Sequence, residues 1–307
     1  MTGSDEIQPF RIEGLPVRGR LVRLTETAER VLSAHDYPDA VSSVLAEAMA
    51  LTGLLAGALK FDGLFTLETR GDGPVHLIVV DLTSDGKMRA YAAYDRARLA
   101  EIGAAIPRSG GSVLRLLGSG HLIFTVDQVA AGERYQGVVA LEGATLADCA
   151  HAYFRDSEQI PTGIKLCAGQ VGEARAWRAG GVMVQRMPEG AGLAKGEGLT
   201  DEELEDGWRR VVILMSSATP EELIGGTLSP RALLRRLFHE DGVWVFKPAP
   251  LSFGCRCSRT RAVSILCYLP PREVADFTIE GKLEVTCQFC NSVEIFTEEE
   301  VASLCAT

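Results

Sequence analysis

Histidine and aromatic side chains are scarce in this sequence, and acidic residues outnumber basic ones. The five histidines are scattered, and none forms the HExxH spacing of a zinc hydrolase. Aromatic residues make up 7% of the chain, and the basic stretches lack the interleaved aromatics that stack on nucleic-acid bases. The formal net charge of −10 disfavours general attraction to phosphates or anionic membranes. We therefore expect neither a nucleic acid nor a membrane as partner.

Motifs of common enzyme classes are also missing. The sequence has no GxxxxGK[ST] phosphate loop and no GxSxG nucleophile elbow, and the glycine-rich stretch GAGLAKGEG is better explained as a connector. A thioredoxin-like CxxC lies where a strand leads into the amino terminus of a helix. This arrangement is not predicted around CQFC. Thiol–disulfide exchange is the most credible enzymatic alternative, and we expect that the protein is not an enzyme.

A secretory leader is not recognisable at the amino terminus. MTGSDEIQPF lacks the positive and then apolar run of a signal peptide, so we expect a cytoplasmic protein with reduced thiols at rest. One apolar run, residues 40–59, is long enough to span a membrane. Glu47 lies at its middle, and Ala, Gly and Ser dilute its apolarity, which favours a buried core helix.

Signals for helix and strand are mixed in the first part of the chain, which predicts an α+β fold with an antiparallel sheet. Pro38 can open the apolar helix, and Thr145 can cap another. Short strand-like segments separated by turn residues, typical of an antiparallel meander, are GLFTLETR, VHLIVVDL and KMRAYAAY. We assign residues 1–187 to this N-terminal domain.

The composition changes at Pro188, where a glycine-rich and acidic stretch begins. Helix starts follow at Thr200 with Glu203, at Thr219 with Glu222, and at Ser229. We predict a flexible and helical linker over 188–242. A small C-terminal domain that contains the paired cysteines is predicted over 243–307.

Four of the eight cysteines form two close pairs, Cys255 with Cys257 and Cys287 with Cys290. Side chains two apart on an extended backbone point the same way, and a C-x-x-C turn aims both sulfurs at one point. Four converging thiolates suit one tetrahedral Zn²⁺ at about 2.3 Å per sulfur. The sequence therefore predicts one zinc ion held by Cys255, Cys257, Cys287 and Cys290.

Two interpretations of this zinc centre stay open at the level of residue chemistry. It can be a plain structural staple, because four sulfur ligands leave no position for water or substrate. It can also be a redox switch, because Arg256, Arg259 and Arg261 favour thiolate, and oxidants convert close thiolates to disulfides. Cys149 and Cys267 are predicted to be buried and apolar, Cys167 lies in a predicted strand, and Cys305 is near the chain end.

The sequence resembles the bacterial redox-regulated holdase chaperones, the 33 kDa chaperonin or heat shock family. The stretches that carry the resemblance, in the family's order, are HDYPDAV, GDGPVHLIVVD, RYQGVVAL, YFRDSEQIPT, RLFHED, FGCRCSR and VTCQFC. By this resemblance the four paired cysteines match the family's zinc ligands and redox-active thiols. The implied disulfides of the oxidised state are Cys255–Cys257 and Cys287–Cys290.

The resemblance implies an ATP-independent chaperone that prevents aggregation of unfolding proteins under oxidative stress. It implies a reduced, zinc-bound, inactive monomer and an oxidised homodimer with an unfolded C-terminal domain and a destabilised linker. From the apolar cluster WRRVVILM we predict a surface for unfolded or partly folded client proteins, formed by Trp208, Val211, Val212, Leu214 and Met215. An ordinary buried helix face explains the same pattern equally well.

A zinc ribbon that binds nucleic acid is the alternative function. It is favoured by a local excess of basic residues, namely Arg231, Arg235, Arg236, Lys247, Arg256, Arg259 and Arg261. The acidic remainder of the chain and the lack of stacking aromatics disfavour it.

Overall fold

The structure, a computed structural model, describes residues 5–102, 113–128, 132–188, 199–270, 277–279 and 281–305. It divides into two compact units, Met1–Phe253 and Gly254–Thr307. The predicted functional division into 1–187, 188–242 and 243–307 is a different partition and stays a prediction. The predicted α+β class is confirmed, since both units combine helices with mainly antiparallel strands.

The first sheet of the larger unit has the strand order β10-β1-β2-β9-β8, and β11 also pairs with β1. Its pairings are antiparallel, with β2 and β9 in register from Val17–Arg186 to Leu24–Ala179. The strands are β1 (Glu6–Ile12), β2 (Val17–Leu24), β8 (Thr162–Val171), β9 (Ala176–Arg186), β10 (Val243–Val245) and β11 (Ala249–Pro250).

The second sheet has the order β12-β5-β4-β3-β6-β7 and contains the predicted meander. Only β12 runs parallel to its neighbour, β5, among the described strands. The strands are β3 (Gly63–Gly71), β4 (Val75–Thr83), β5 (Lys87–Tyr94), β6 (Gly120–Gln128), β7 (Arg134–Ala140) and β12 (Ser252–Phe253). Short helices α1 (Glu26–Leu32), α3 (Arg96–Ile102) and α4 (Val113–Leu116) lie between the strands in sequence.

The long apolar helix α2 (Asp39–Ala56) contacts strands of both sheets and forms the centre of the main core. It is long and apolar enough to cross a membrane, but 78% of it is buried inside this unit. The prediction of a buried core helix is therefore confirmed. Burial raises the pKa of Glu47, on this helix, to about 7, because a charge is costly away from water.

Thr145 begins α5 (Leu146–Tyr153) with a reciprocal capping box, as its sequence predicts. The helix continues as a π-helical turn over Phe154–Glu158 and ends at Gln159, which adopts a left-handed φ of 55°. The helix predicted to begin at Thr145 is therefore present, but its last turn is wider than an α-helix.

Three helices of the predicted linker pack on the first sheet. They are α6 (Asp201–Ser216), α7 (Pro220–Ile224) and α8 (Pro230–Phe238), and each is capped at the predicted residue. Together with the sheet they form a second apolar core that includes Phe10, Val184, Val211 and Phe238. Residues 189–198, where the glycine-rich connector is predicted, lie outside the described residues.

The smaller unit has one two-stranded sheet and two helices. The elements are α9 (Arg259–Tyr268), β13 (Lys282–Thr286), β14 (Val293–Thr297) and α10 (Glu298–Cys305). Thr297 and Glu300 cap α10 through reciprocal hydrogen bonds. Its core of described residues consists of only five buried side chains, Ala262, Leu266, Leu283, Phe296 and Val301. A core this small calls for additional cross-links.

Candidate metal and redox centre

Two separate segments of the smaller unit supply the four predicted ligands. Cys255 and Cys257 precede α9. Ser258 caps this helix, and its Oγ accepts a hydrogen bond from the Arg261 amide. Cys287 and Cys290 lie in the turn that joins β13 to β14. This turn is closed by two backbone hydrogen bonds, Cys287 N to Ser292 O at 2.9 Å and Asn291 N to Cys287 O at 2.8 Å. Asn291 adopts a left-handed φ of 58°, a conformation that asparagine tolerates.

All four Sγ atoms lie within 4.8 Å of one another. The shortest contacts cross between the segments, with Cys255 Sγ to Cys287 Sγ at 3.7 Å and Cys257 Sγ to Cys290 Sγ at 3.4 Å. Four sulfurs at about 2.3 Å from a tetrahedral zinc ion would be separated by about 3.8 Å. The donor set and the spacing therefore fit one zinc ion, and the predicted convergence of the two pairs is present in the structure.

Cys257, Cys287 and Cys290 do not ionise alike in this crowded arrangement. Burial raises the pKa of Cys290, but hydrogen bonds from the Ser292 hydroxyl and backbone outweigh it and lower that pKa to about 6. Ser292 also lowers the pKa of Cys257, but burial and the neighbouring thiols raise it to about 12. Cys290 therefore ionises at lower pH than Cys257, and a nearby cation would favour the ionised form of both.

The arginines next to the cysteines have structural roles that their sequence positions did not reveal. Arg259 forms ion pairs of 3.3 Å with both Glu294 and Glu300, and its guanidinium lies 4.2 Å from the ring centroid of Phe296. Arg261 donates a hydrogen bond to the backbone oxygen of Arg256. Arg259 therefore ties α9 to β14 and α10, in addition to any effect it has on the thiols.

A disulfide bond joins Cys267 on α9 to Cys305 on α10. This bond was not predicted from the sequence. The prediction that Cys267 is a buried apolar residue is wrong, because its side chain is exposed. The two cysteines are 38 positions apart in sequence, so no local spacing pattern indicated that they pair. Cys149 is buried as predicted, and Cys167 lies on β8.

The predicted client-binding residues form one face of α6, and this face is covered in the structure. Val211 and Met215 are buried against the first sheet, while Trp208, Val212 and Leu214 are half-buried at the edge of the same core. The neighbouring Ile213 is 68% exposed. A client can reach Val211 and Met215 only if α6 moves away from the sheet.

Comparisons with known proteins agree on one family. The sequence profile described as "Hsp33 protein" matches residues 5–297. The chain is 41% identical over 293 residues to the 33 kDa chaperonin of Caulobacter vibrioides, covering 94% of each protein. It is 38% identical over 305 residues to the 33 kDa chaperonin of Pseudomonas putida, covering 99% of this chain and 94% of the relative.

A solved structure has the same fold. The crystal structure of the 33 kDa chaperonin from Thermotoga maritima matches with a TM-score of 0.78 and 24% identity, over 98% of both chains. On the strength of the profile match and of the two relatives that it resembles from end to end, this chain belongs to the Hsp33 family of chaperones.

Proposed function

We propose that this protein is a redox-regulated, ATP-independent holdase that binds unfolding proteins and prevents their aggregation under oxidative stress. The observation that carries the proposal is the convergence of four thiols from two segments within 4.8 Å. Thiols this close are both a zinc site and a source of disulfides. One Zn²⁺ is the proposed cofactor of the reduced form, held by Cys255, Cys257, Cys287 and Cys290.

When bound, zinc supplies charge neutralisation for the thiolates and a cross-link between the two segments. Peroxide oxidises one thiolate to a sulfenic acid with release of hydroxide, and a neighbouring thiol then displaces that hydroxyl as water. Each disulfide thus formed removes two electrons and one pair of ligand charges from the site. We propose Cys255–Cys257 and Cys287–Cys290 as the pairs, following the family resemblance.

Loss of the cross-link is large compared with the stability of the small unit. Structural zinc contributes an apparent binding free energy of about 10–16 kcal/mol in small peptides. A whole domain is stable by only about 5–15 kcal/mol. Since the core around Leu266 and Phe296 has five buried side chains, oxidation should unfold this unit.

Client binding is proposed to follow from loosening of the linker helices. The face of α6 with Trp208, Val211, Val212, Leu214 and Met215 is apolar and would become accessible when α6 leaves the sheet. The oxidised form is proposed to be a homodimer and the reduced form a monomer, acting in the cytoplasm. We propose no catalytic turnover, so activity rests on binding alone.

One experiment tests the redox proposal as a whole. Zinc release, helix content and suppression of client aggregation are followed together, before and after peroxide at mildly raised temperature. Zinc release should coincide with a loss of helix and the appearance of aggregation suppression. A variant with all four cysteines of the site changed to serine should show no change on peroxide treatment, while a Cys149→Ser, Cys167→Ser control should behave like the parent protein. Equal suppression by the reduced and oxidised parent protein would contradict the proposal.

A further inference from the structure

A cavity of about 330 Å³ lies within the larger unit where the carboxyl end of α2 meets both sheets. This volume is at the lower end of the range for small-molecule sites, and it suits a molecule of one or two rings. The cavity lining combines four aromatic rings, Phe65, Phe124, Tyr153 and Phe154, with the polar side chains of Arg18 and Gln185.

Aromatic rings form one wall of the cavity in a fixed arrangement. Phe65 and Phe124 are nearly parallel, with ring centroids 6.4 Å apart. The Tyr153 ring meets the Phe124 ring edge to face, with centroids 4.3 Å apart, and the centroids of Tyr153 and Phe154 are 5.4 Å apart. Offset and edge-to-face rings of this kind are favourable surfaces for another ring. The wall therefore presents a preformed aromatic surface to an occupant.

The backbone around these rings is specialised to make room for them. Gly137 lies opposite Phe124 in the strand pairing, and a Cβ at this position would lie 2.3 Å from the Phe124 ring and 2.9 Å from Tyr153. Phe154 and Glu158 belong to the π-helical turn, a feature that is frequently found at functional sites. The turn widens the helix at the position where its side chains reach the cavity.

The rim is polar and internally hydrogen-bonded. Tyr135, which is 50% exposed, donates to Glu158 at 2.7 Å and lies 2.6 Å from the hydroxyl of Tyr153. Tyr153 also donates to Glu158. Two of the sequence stretches singled out above, RYQGVVAL and YFRDSEQIPT, supply these three residues. The redox proposal assigns them no role.

Two residues that line the cavity carry a buried donor and a buried acceptor without hydrogen-bond partners. Arg18 on β2 and Gln185 on β9 are directly paired residues, so their side chains lie on the same face of the sheet. Within the part of the chain that the structure describes, Arg18 Nε and Gln185 Oε1 are buried and form no hydrogen bond. Gln185 is 1% exposed. An unpaired buried polar atom is costly, so a ligand that satisfies both would gain affinity.

We propose that this cavity binds a small neutral molecule with one or two hydrocarbon rings and one hydroxyl group, a phenol or a cyclic alcohol. The rings pack on Phe65, Phe124 and Tyr153. The hydroxyl oxygen accepts a hydrogen bond from Arg18 Nε, and its proton is donated to Gln185 Oε1. A hydroxyl is the smallest group that both accepts and donates.

The need for a hydrogen-bond donor selects against a carboxylate in the same position. An ionised carboxylate accepts from Arg18 but cannot donate to Gln185, and its charge would enter an apolar cavity with Glu158 at the rim. A plain hydrocarbon fills the space but leaves both polar atoms unpaired. The series of 2-naphthol, 2-naphthoate and naphthalene therefore separates the three possibilities with one ring system.

The experiment titrates the full-length reduced protein with each of these three compounds by calorimetry and maps the bound site by NMR shifts. We expect 2-naphthol to bind at one site, with shifts centred on Phe124, Tyr135 and Tyr153. Both 2-naphthoate and naphthalene should bind at least about tenfold more weakly, since one missing hydrogen bond to a charged or buried partner is worth that factor.

Variants then test the polar pair. Gln185→Met and Arg18→Met should each weaken 2-naphthol at least about tenfold, while naphthalene binding stays the same or improves. The matched control is Gln170→Met on β8, which does not line the cavity and should leave all three affinities unchanged.

Three outcomes would overturn the assignment: no binding of 2-naphthol up to about 1 mM, naphthalene binding as tightly as 2-naphthol, or shifts away from the cavity. The ligand series on the parent protein decides the matter even if a variant fails to fold. The assignment does not depend on the redox proposal, since it concerns the reduced protein and residues outside the zinc centre.

Discussion

Arg23 on β2 donates a hydrogen bond of 3.0 Å from its Nε to the backbone oxygen of Leu223 on α7. The same guanidinium donates to the backbone oxygens of Glu222 at 2.7 Å and Leu228 at 2.6 Å. One buried side chain of the first sheet thus holds the end of α7 and the end of the connection to α8. These contacts are charge-assisted and shielded from water, which makes them stronger than surface hydrogen bonds.

Replacing this residue, Arg23→Met, should loosen the linker helices. One buried and two partly buried carbonyl groups lose their donor, and the free energy of unfolding should fall by about 2–4 kcal/mol. Urea unfolding measures the loss, and hydrogen exchange should become faster over residues 220–238. On the proposed function, the reduced variant should also suppress client aggregation more than the reduced parent protein. The matched control is Arg134→Met on β7, where the replaced guanidinium has an exposed ion pair with Asp127. Unchanged exchange over 220–238 would refute the role of Arg23.

Glu47 predicts a pH dependence of stability. Its pKa rises from 4.5 to about 7 on folding because the carboxyl is buried on α2. The folded state then keeps the proton to higher pH than the unfolded chain. The contribution of Glu47 to the free energy of unfolding therefore falls as the pH rises from about 4.5 to about 7, and it is constant at higher pH. Glu47→Gln should remove this slope and raise stability at pH 8 by about 3 kcal/mol at most, with little change at pH 4.

The measurement for Glu47 is the urea midpoint of both proteins at a series of pH values. The exposed residue Glu101, changed to glutamine, serves as the control and should give parallel curves for variant and parent protein. If Glu47→Gln changes stability equally at pH 4 and pH 8, the effect comes from packing and not from the proton.

The local parts of the fold could be predicted from the sequence because their causes are local. Thr200, Thr219 and Ser229 cap helices through backbone groups only three residues away. The strands β1 and β10 were not predicted. They pair with each other, and Phe10 and Val245 are more than two hundred residues apart in sequence. Strand pairing at such a distance depends on the packed core, and no short sequence pattern encodes it.

The candidate site divides in the same way. The four cysteines of the candidate metal site could be identified because the spacing within each pair directs both sulfurs to the same side, and the structure places all four sulfurs together. The partner of Cys267 could not be identified, since Cys305 lies 38 residues away and both pass as ordinary helical residues. Arg259 was predicted to act on the thiols, whereas the structure places it against Glu294, Glu300 and Phe296.

The Cys267–Cys305 disulfide should stabilise the smaller unit. In the chain-entropy model, a closed loop of 38 residues contributes about 4 kcal/mol by restricting the unfolded state. Cys305→Ser should therefore lower the free energy of unfolding of this unit, as measured by hydrogen exchange over 254–305. Cys267→Ser and the double variant should give the same loss, because either single change already breaks the bond. A double variant clearly less stable than both singles would mean that the serines act through packing.

The proposed client surface on α6 predicts a loss of holdase activity without a loss of switching. Val212→Ser with Leu214→Ser removes two half-buried apolar side chains from the edge of this face. Suppression of aggregation by the oxidised protein should become weaker, while zinc release on oxidation stays the same. Val138→Ser, an exposed position on β7, is the control. Full suppression by the double variant would remove α6 from the client surface.

Zinc removal from the reduced protein should unfold one unit and spare the other. The smaller unit has five buried apolar side chains and depends on its cross-links, whereas the larger unit has two extensive cores around α2 and the first sheet. Chelation at 25 °C under reducing conditions should therefore abolish slow hydrogen exchange in β13 and β14 and preserve it in β2, β3 and β9. Re-addition of one equivalent of zinc should restore protection. Slow exchange that persists in β13 and β14 after the metal is gone would show that apolar packing, and not four sulfur–metal bonds, holds this unit together.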